Sequence, residues 1–396
     1  MSGIHNPEKS LKYFLSKIEN SETSEINKKN LFDFKNECIA QGLSIHRVVF
    51  YLVRLMVITR MINKNFRDMN KDDIRELVVK IQTKENYSEN TKADYKKTVK
   101  KFFQWLEGLE WKCKKYPEKV EWISTSIKNN KKKLPDELLT QDEIKEMIKN
   151  AKNSRDKALI SVLYESGCRI GELLEMKTNQ VQFDNYGVVM MVYGKTGSRR
   201  VRLISSVPSL SRWLQDHTNP NNGSHLWVNR STNNRGQRLS YTKTVKLLKE
   251  VAKLSGIEKP VNPHMFRHSR ATYLANKLTE AQMKEYFGWT QNSGMASVYV
   301  HMSGRDVDNA ILKMYGKVDE KDEKEEEAFK PKVCPRCDHV NSPESDFCIK
   351  CRLPLTEKAA IESDKTEKMV LSMITPEMIE KMIEKKVKEL IKDSSQ

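Results

Sequence analysis

The chain has 396 residues, of which 38% are hydrophobic and 31% are charged, and its formal net charge is +17. This length allows two or three domains with cores of their own, and no apolar run approaches the ~18–20 residues of a membrane span. The N-terminal stretch MSGIHNPEKSLKYF lacks the apolar core of a signal peptide, so we expect a cytoplasmic protein with mostly reduced thiols. The charge favours a polyanionic partner, above all nucleic acid. The alternative is a lysine-rich surface that is merely solvated.

The first part of the chain predicts a helical domain. Residues 1–30 are polar and are expected to form an N-terminal extension, whereas apolar residues recur at helical spacing through 31–125. One helical face in 88–108 is apolar and indicates a core face: Tyr95, Val99, Phe102, Phe103 and Leu106. The opposite face carries Lys92, Lys96, Lys97 and Lys100. It is either a phosphate-tracking surface or a solvated one.

A basic linker, 126–136, separates this domain from a second one at 137–316. Asn-Asn, a lysine run and Pro135 indicate the linker. The second domain opens with Thr140 and Glu143, which are spaced as a capping box. Its predicted elements are a helix at 156–177, a hairpin of 187–193 with 199–205, and helices from about 208, through 240–255 and 264–316.

The end of the chain predicts three further segments. An acidic run indicates an exposed linker at 317–330, and a cysteine-containing module follows at 331–356. Residues 366–396 predict an amphipathic helix, with Thr375 and Pro376 at favoured entry positions. This helix would dimerise, dock on a partner or pack on the protein itself.

The stretch PHMFRHSRAT places His264 and Arg267 three residues apart on one helix, where both side chains reach one anionic group. If that group is a DNA phosphodiester, cleavage without metal needs a nucleophile, cationic donors, an acid and a base. A bidentate guanidinium suits phosphate oxygens. The candidate nucleophile is Tyr299 in SVYVHMSG, whose phosphotyrosyl ester would keep the energy of the broken bond.

Five motifs in chain order resemble the catalytic boxes of the tyrosine recombinase family, which includes phage integrases and Xer-like and Cre-like enzymes. The motifs are GCRIGELLEM (167–176), GKTGSRRVRL (194–203), HMFRHSRAT (264–272), FGW (287–289) and VYVH (298–301). The resemblance spans about residues 70–315. It implies a mainly α, multidomain fold with a helical core-binding (SAM-like) domain at 31–125 and a mixed α/β catalytic domain with a small β-hairpin or sheet.

The resemblance also implies residue roles. Arg169 and Arg267 would bind the scissile phosphate, Lys195 in the hairpin turn would be the general acid for the 5′-oxygen, and His264 would be the general base or a transition-state donor. Trp289 stands where the family has His or Trp, and its indole N–H would donate to a non-bridging oxygen. The implied catalytic residues are therefore Arg169, Lys195, His264, Arg267, Trp289 and Tyr299.

Three nearby residues stay outside this set. Glu172 would orient a donor or form a salt bridge. His268 points about 100° away from Arg267 around the helix and is interpreted as structural. His301 is common in the motif but is given no catalytic role.

The implied reaction is cleavage and rejoining of double-stranded DNA at specific sites, without metal or ATP, through a 3′-phosphotyrosyl intermediate and a Holliday junction. The implied assembly is a homotetramer on two DNA sites. The lysine-rich composition and the added C-terminal segments suggest an integrase or recombinase of an archaeal mobile element. An Xer-type resolvase remains open. The alternatives are relaxation of DNA like a type IB topoisomerase, or a DNA-binding regulator that has lost catalysis.

The sequence CPRCDHVNSPESDFCIKC predicts a structural zinc site in the module at 331–356. Two CxxC pairs separated by ten residues supply four thiolates: Cys334, Cys337, Cys348 and Cys351. The module resembles a small zinc ribbon of a kind often seen in archaeal proteins, although Asp338 and Arg352 stand where glycine often follows the second cysteine. It would bind DNA, bind an accessory protein or stabilise the tail. The scattered Cys38, Cys113 and Cys168 are expected to be inert.

Overall fold

The protein is described by a computed structural model that covers residues 7–127, 137–194, 196–221, 223–275, 277–302, 315 and 330–373. The chain divides into two compact units, Met1–Lys132 and Lys133–Gln396. Across the described ranges, we find no helix whose length and apolarity would let it cross a membrane. The division falls within the predicted basic linker, most of which (128–136) lies outside the described residues.

The first unit is helical. Its described helices are α1 (Pro7–Glu19), α2 (Glu25–Ala40), α3 (Ile45–Thr59), α4 (Lys71–Gln82), α5 (Glu89–Leu106) and the single turn α6 (Glu118–Glu121), with a 3₁₀ turn at Phe66–Asp68. Ser24 and Ser88 cap α2 and α5, and Asn70 forms a capping box with Asp73 at the start of α4.

The predicted apolar face of α5 is confirmed as a core face. Tyr95, Val99, Phe102, Phe103 and Leu106 are all buried. Phe102 packs edge-on against Phe34 of α2 and against Phe66, with ring centres 5.2 and 4.7 Å apart. This aromatic cluster packs α5 against α2 and the 3₁₀ turn.

The residues expected to form an N-terminal extension instead belong to the helical unit. Helix α1 begins at Pro7 and packs against α3, and Ile18 is 1% exposed in the core. Leu11, Phe14 and Leu15 add a partly buried face beside Ile18. This spacing of i, i+3, i+4 and i+7 is an amphipathic stripe within a mostly polar segment, and its polar residues obscured it in the sequence.

Lysines on the other face of α5 mostly bind groups of their own unit. The Lys92 ammonium pairs with Glu89 and that of Lys96 donates to Gln82. Lys100 donates to the carbonyls of Glu121 and Ile123. Lys97 is the exposed member of this face, and its ammonium lies 3.9 Å from Asp94. A phosphate on this face would therefore compete with contacts inside the unit.

The second unit combines helices with two small antiparallel sheets. Its described elements are α7 (Gln141–Asn150), α8 (Ser154–Ser166), α9 (Ile170–Leu174), β1 (Val181–Asp184), β2 (Gly187–Gly194), β3 (Gly197–Leu203), α10 (Val207–Gln215), α11 (Tyr241–Leu254), α12 (Pro263–Ala275), α13 (Glu280–Phe287), α14 (Met295–Met302), β4 (Lys332–Val333), β5 (Val340–Asn341) and α15 (Glu357–Met373). The predicted capping box of Thr140 and Glu143 opens α7. The apolar stripe predicted within 374–396 lies outside the described residues.

The predicted hairpin is confirmed as β2 and β3, which pair from Val188 with Leu203 to Gly194 with Gly197. Strand β1 extends the sheet along the other edge of β2. Three of its four residues are exposed. Its residues, VQFD, do alternate apolar and polar side chains, but four residues are the shortest run that indicates a strand, and no strand was predicted there.

One predicted helix, 156–177, is broken at Gly167. This glycine ends α8 with a left-handed φ of 55°, and a Cβ there would lie 2.5 Å from the Phe287 ring. Nearly all of α8 is buried, so it runs through the middle of the unit. The break starts a second helix, α9, with Arg169 at its N-cap.

Candidate active site

Arg169 is held by a buried carboxylate. Its Nη1 donates to Oε1 of Glu172 at 2.8 Å, and its backbone N–H donates to Oε2 at 3.1 Å. Arg199 of β3 binds Oε2 from the other side at 2.7 Å. Burial opposes ionisation of Glu172, but hydrogen bonds and charge from Arg199 and Arg169 outweigh it and lower the pKa. Glu172 is therefore an anion that orients both arginines.

Both flanks of the hairpin turn contact this region. A Cβ on Gly194 would lie 2.5 Å from Oε1 of Glu172, so the end of β2 passes directly over the carboxylate. On the other flank, Thr196 donates its hydroxyl hydrogen to the Gly288 carbonyl at 3.0 Å. Lys195 itself lies outside the described residues.

Arg267 of α12 is buried, with 6% exposed. Its Nη1 donates to the Gly167 carbonyl at 2.8 Å and its Nη2 to the Phe287 carbonyl at 2.7 Å. Burial, and after it the charge of Arg169, lowers its pKa to about 10, so it stays charged at neutral pH. A guanidinium has five N–H donors, and these two bonds leave others for an anion.

Tyr299 of α14 lies against an aromatic stack. Its ring is parallel to that of Trp289 within 3°, with centres 5.5 Å apart, and Trp289 stacks in turn on Phe287. The Arg267 guanidinium lies 5.5 Å from the Trp289 ring centre. Tyr299 is 2% exposed. Burial raises the pKa of its phenol, although the charge of Arg267 opposes the rise.

Two histidines of α12 complete the group. His264 is exposed, and its ring centre lies 6.4 Å from that of His268. Nδ1 of His268 lies 2.5 Å from the Tyr299 hydroxyl oxygen. The purely structural interpretation of His268 therefore missed a contact with the candidate nucleophile. The signal for it is the packing of α14 on the His268 side of α12, which the sequence of α12 does not contain.

The structure thus brings together five of the six residues singled out above. Contacts link Arg267, Trp289 and Tyr299 directly, and Glu172 and the Gly167 carbonyl hold Arg169 and Arg267 near one another. His264 is connected through His268. Two cations beside a buried phenol can bind a phosphodiester and stabilise charge on its oxygens during attack.

The four C-terminal cysteines form a second candidate site. Their sulfur atoms all lie within 4.8 Å of one another, and Cys334–Cys351 and Cys337–Cys348 are 3.5 and 3.6 Å apart. A Zn–S bond of about 2.3 Å in tetrahedral geometry places sulfurs roughly 3.8 Å apart, so the cluster fits a structural metal.

The knuckle turns form without glycine. Asp338 and Arg352 take left-handed φ values of 53° and 62°. Their backbone N–H groups donate to the carbonyls of Cys334 and Cys348 at 2.9 and 2.8 Å. The tight turns needed to aim each pair of thiols are therefore present despite the side chains at both positions.

The cysteine module packs on the body of its unit. Ser342 and Ser209 of α10 share a buried hydroxyl hydrogen bond of 2.9 Å, and Asp346 pairs with Lys149 of α7 at 3.1 Å. The scattered cysteines Cys38 and Cys168 are buried, and burial raises the pKa of both thiols, that of Cys38 to about 12. This agrees with the expectation that they are unreactive.

Known proteins match this chain in sequence. Residues 137–305 match the phage integrase family. Tyrosine recombinase XerA of Pyrococcus horikoshii is 30% identical over 219 residues, which cover 54% of this chain and 70% of the relative. A tyrosine recombinase of Thermosipho africanus is 29% identical over 268 residues, or 64% and 87% of the two chains.

Solved structures share the fold. XerH site-specific recombinase bound to a palindromic difH substrate has a TM-score of 0.54 at 18% identity, covering 79% of this chain and 97% of that one. A lambda integrase dimer bound to a COC′ core site has a TM-score of 0.55 at 16% identity, covering 70% and 78%. With the motifs, the converging side chains and the matched relatives together, the chain belongs to the tyrosine recombinase (phage integrase) family, and it is an enzyme of site-specific DNA recombination.

Proposed function

We propose that this enzyme cleaves and rejoins duplex DNA through a 3′-phosphotyrosyl link to Tyr299, without metal or ATP. The observation that carries the proposal is the convergence on Tyr299 of Arg267, Trp289 and the two histidines of α12, with Arg169 fixed by Glu172 close by. A phenol is a poor nucleophile in water, and this arrangement supplies the cations that its attack on phosphorus needs.

The two arginines bind the scissile phosphate. Arg169 and Arg267 hold the non-bridging oxygens and neutralise charge as the pentacoordinate transition state forms. Glu172 supports this role because its carboxylate orients Arg169 and offsets part of the repulsion among Arg169, Arg199 and Arg267. His264 and the Trp289 indole N–H are further donors to the phosphate oxygens, or His264 is the general base.

Lys195 protonates the leaving 5′-oxygen. The flanks of its turn support this role, because Gly194 lies over Glu172 and Thr196 binds the carbonyl before Trp289. After cleavage, the 5′-OH of a partner strand attacks the phosphotyrosyl link and completes the exchange. A Holliday junction forms after the first pair of exchanges.

Double-stranded DNA is the proposed partner, and a homotetramer on two sites is the proposed assembly. The net charge of +17 favours DNA. A solved relative of the same fold, with a TM-score of 0.54, is a lambda integrase tetramer bound to a Holliday junction. The helical unit would act as the core-binding domain, in a protein that works on cytoplasmic DNA.

The biological role that we propose is integration, excision or resolution of a mobile element, of archaeal type. The cysteine module supports an elaborated enzyme because it adds a cluster of four cysteines, suited to a metal, to the catalytic body. We propose structural zinc held by the four cysteines as its metal. An accessory protein would bind through the module or the C-terminal segment.

A nicked-substrate assay tests the proposal. The protein is incubated, without metal or ATP, with a library of nicked duplexes from its own genomic neighbourhood. A nick near the cleavage site lets the short 5′-OH fragment diffuse away, so a DNA–protein adduct should accumulate and resist denaturation. Tyr299→Phe should bind DNA and form no adduct.

Two other outcomes of this assay would each favour one of the alternative functions, a DNA-binding regulator or a topoisomerase. DNA binding without an adduct in the wild-type chain would contradict the proposal and favour a regulator that has lost catalysis. Relaxation of supercoiled DNA by a monomer, without strand exchange, would favour a topoisomerase. Sequencing the trapped DNA would give the target site.

A further inference from the structure

None of the roles assigned above uses the partly buried contact between His268 and Tyr299. Nδ1 of His268 lies 2.5 Å from the phenolic oxygen, and the two ring centres are 5.8 Å apart. We propose that His268 is a catalytic residue, the base that takes the proton of Tyr299 as its oxygen attacks phosphorus. This inference rests on the proposed function, because it concerns the same nucleophile.

A base is needed because the phenol holds its proton tightly in this site. A free tyrosine has a pKa near 10, and burial raises that of Tyr299 despite the opposing charge of Arg267. Very little phenolate is present at neutral pH, so the proton must leave as the new bond forms. A general base must lie within hydrogen-bond reach of that proton, and Nδ1 of His268 does.

Two other polar groups near Tyr299 cannot accept its proton, because the guanidinium of Arg267 and the indole N–H of Trp289 are donors only. The hydrogen-bond contact recorded for the phenolic oxygen is with Nδ1 of His268. We therefore assign the phenolic proton to His268 and leave the exposed His264 as the transition-state donor.

In the cleavage step the Tyr299 oxygen bonds to phosphorus, the bond from phosphorus to the 5′-oxygen breaks, and the phenolic proton moves to Nδ1 of His268. The leaving 5′-oxygen takes a proton from the general acid, proposed above as Lys195. In religation the 5′-OH attacks phosphorus, the tyrosyl ester bond breaks, and His268 returns its proton to the phenolate. The neutral His268 must therefore carry its hydrogen on Nε2.

Two other charged or titratable groups in the described chain bear on this pair. Arg267 lowers the pKa of Tyr299 by its charge, against the larger effect of burial. His264 is a second titratable ring on α12. From α14 the group that faces His268 is Tyr299 itself, and the uncharged Trp289, after α13, stacks on Tyr299.

The test compares His268→Asn with His268→Ala. The Oδ1 of asparagine takes about the place of Nδ1 and still accepts a hydrogen bond, but it cannot hold the proton. We expect both variants to bind DNA normally and to form the adduct ~10²–10⁴-fold more slowly at pH 7, the usual contribution of a general base. His225→Asn, which replaces a half-buried histidine elsewhere in the same unit, should react like the wild type.

The dependence of the reaction rate on pH distinguishes a general base from a residue that only positions Tyr299. In single-turnover reactions on a nicked duplex, the wild-type rate should rise with pH and level off once the imidazole is neutral. The rate of His268→Asn should keep rising, because solvent hydroxide then removes the proton. A variant with the wild-type rate and profile would overturn the inference and leave His268 as a positioning residue.

A second measurement does not depend on the variants folding. Nitrogen NMR of ¹⁵N-histidine-labelled full-length protein, assigned by comparison with Tyr299→Phe, should show Nδ1 of His268 unprotonated near neutral pH. A proton on Nδ1 would overturn the inference. If the wild-type chain forms no adduct at all, the proposed function fails instead, so the two failures are distinguishable.

Discussion

Glu172 and Arg199 form a buried ion pair, 2.7 Å long, in which each side chain is 6% exposed. The same carboxylate binds Arg169 through its other oxygen. Together the three side chains form a fixed charge cluster beneath the proposed phosphate site. They connect α9 to β3, and the cluster keeps Arg169 in place before DNA arrives.

Glu172→Gln should destabilise the protein and slow the adduct reaction. Removal of one partner from a buried ion pair typically costs about 3–5 kcal/mol, because Arg199 would keep a buried charge without its counterion. The free energy of unfolding from urea titration measures this loss. Glu250→Gln, which removes an exposed carboxylate 3.8 Å from Lys246, is the matched control and should change stability by less than about 1 kcal/mol.

The wild type and Glu172→Gln should also differ in how their stability changes with acid. The pKa of Glu172 is lowered in the folded state from its ordinary value of 4.5. Its stabilisation is therefore fully present above about pH 4.5 and is lost as pH falls through the folded pKa. Unfolding free energies between pH 3 and 7 should show this loss in the wild type and a smaller one in Glu172→Gln. Parallel curves would contradict the ion pair.

Gly167→Ala should be more damaging than Gly256→Ala. Both glycines have a left-handed φ, 55° and 69°, so alanine costs about 1–2 kcal/mol of strain at either. At Gly256 nothing lies within 4 Å of the added Cβ, whereas at Gly167 the Phe287 ring lies 2.5 Å away. Overpacking adds about 1–3 kcal/mol there.

The rate of adduct formation should also fall further in Gly167→Ala than in Gly256→Ala. The Gly167 carbonyl accepts a hydrogen bond from Arg267, so a shift of this turn displaces the guanidinium. Gly256→Ala should keep the wild-type rate once it is folded. Equal melting temperatures and equal rates for the two variants would contradict the close packing of Gly167 on Phe287.

Removal of metal should loosen the cysteine module and lower the stability of the catalytic unit. The purified chain should hold one zinc ion, and Cys348→Ser should hold less. The contacts of Ser342 with Ser209 and of Asp346 with Lys149 require a folded module. Each kcal/mol lost lowers Tm by about 2–4 °C in a domain of this size.

Metal content by mass spectrometry and melting by calorimetry measure these effects. Cys113→Ser, which alters a cysteine outside the cluster, should leave both unchanged. A chelator that strips the metal without lowering Tm would show that the module does not depend on metal for its packing. Four reduced cysteines with no bound metal would contradict the site itself.

Lys195→Ala should slow cleavage ~10²–10⁴-fold, the usual contribution of a general acid. A substrate with a 5′-bridging phosphorothiolate has a leaving sulfur that needs no proton. It should therefore restore most of the lost rate in this variant and change the wild-type rate little. Single-turnover cleavage on the two substrates measures the rescue, and an equal loss on both would remove Lys195 from the acid role.

Local patterns predicted much of the fold. The apolar stripe of α5, the Thr140 capping box and the β2–β3 hairpin follow from periodicities of 3.6 and 2 residues and from turn chemistry. The spacing of the two CxxC pairs predicted a cluster whose sulfurs meet. In each case residues close in the chain determine the structure.

Tertiary packing accounts for only part of what was missed. Strand β1 is four residues long, and the apolar stripe of α1 is a local pattern that the surrounding polar residues obscured. Gly167 ends α8 in a left-handed conformation, and Phe287, 120 residues later in the chain, leaves no room for a side chain at that turn. His268 contacts Tyr299 only because α14 packs on α12. No local pattern predicts such contacts.

The central claim is that Tyr299 forms the covalent bond to DNA. The most direct measurement is protease digestion of the trapped adduct, followed by mass spectrometry of the peptide that carries the nucleotide. We predict a nucleotide attached through phosphate to Tyr299, and no adduct from Tyr299→Phe. An adduct that persists in Tyr299→Phe, or a nucleotide mapped to another residue, would contradict the account.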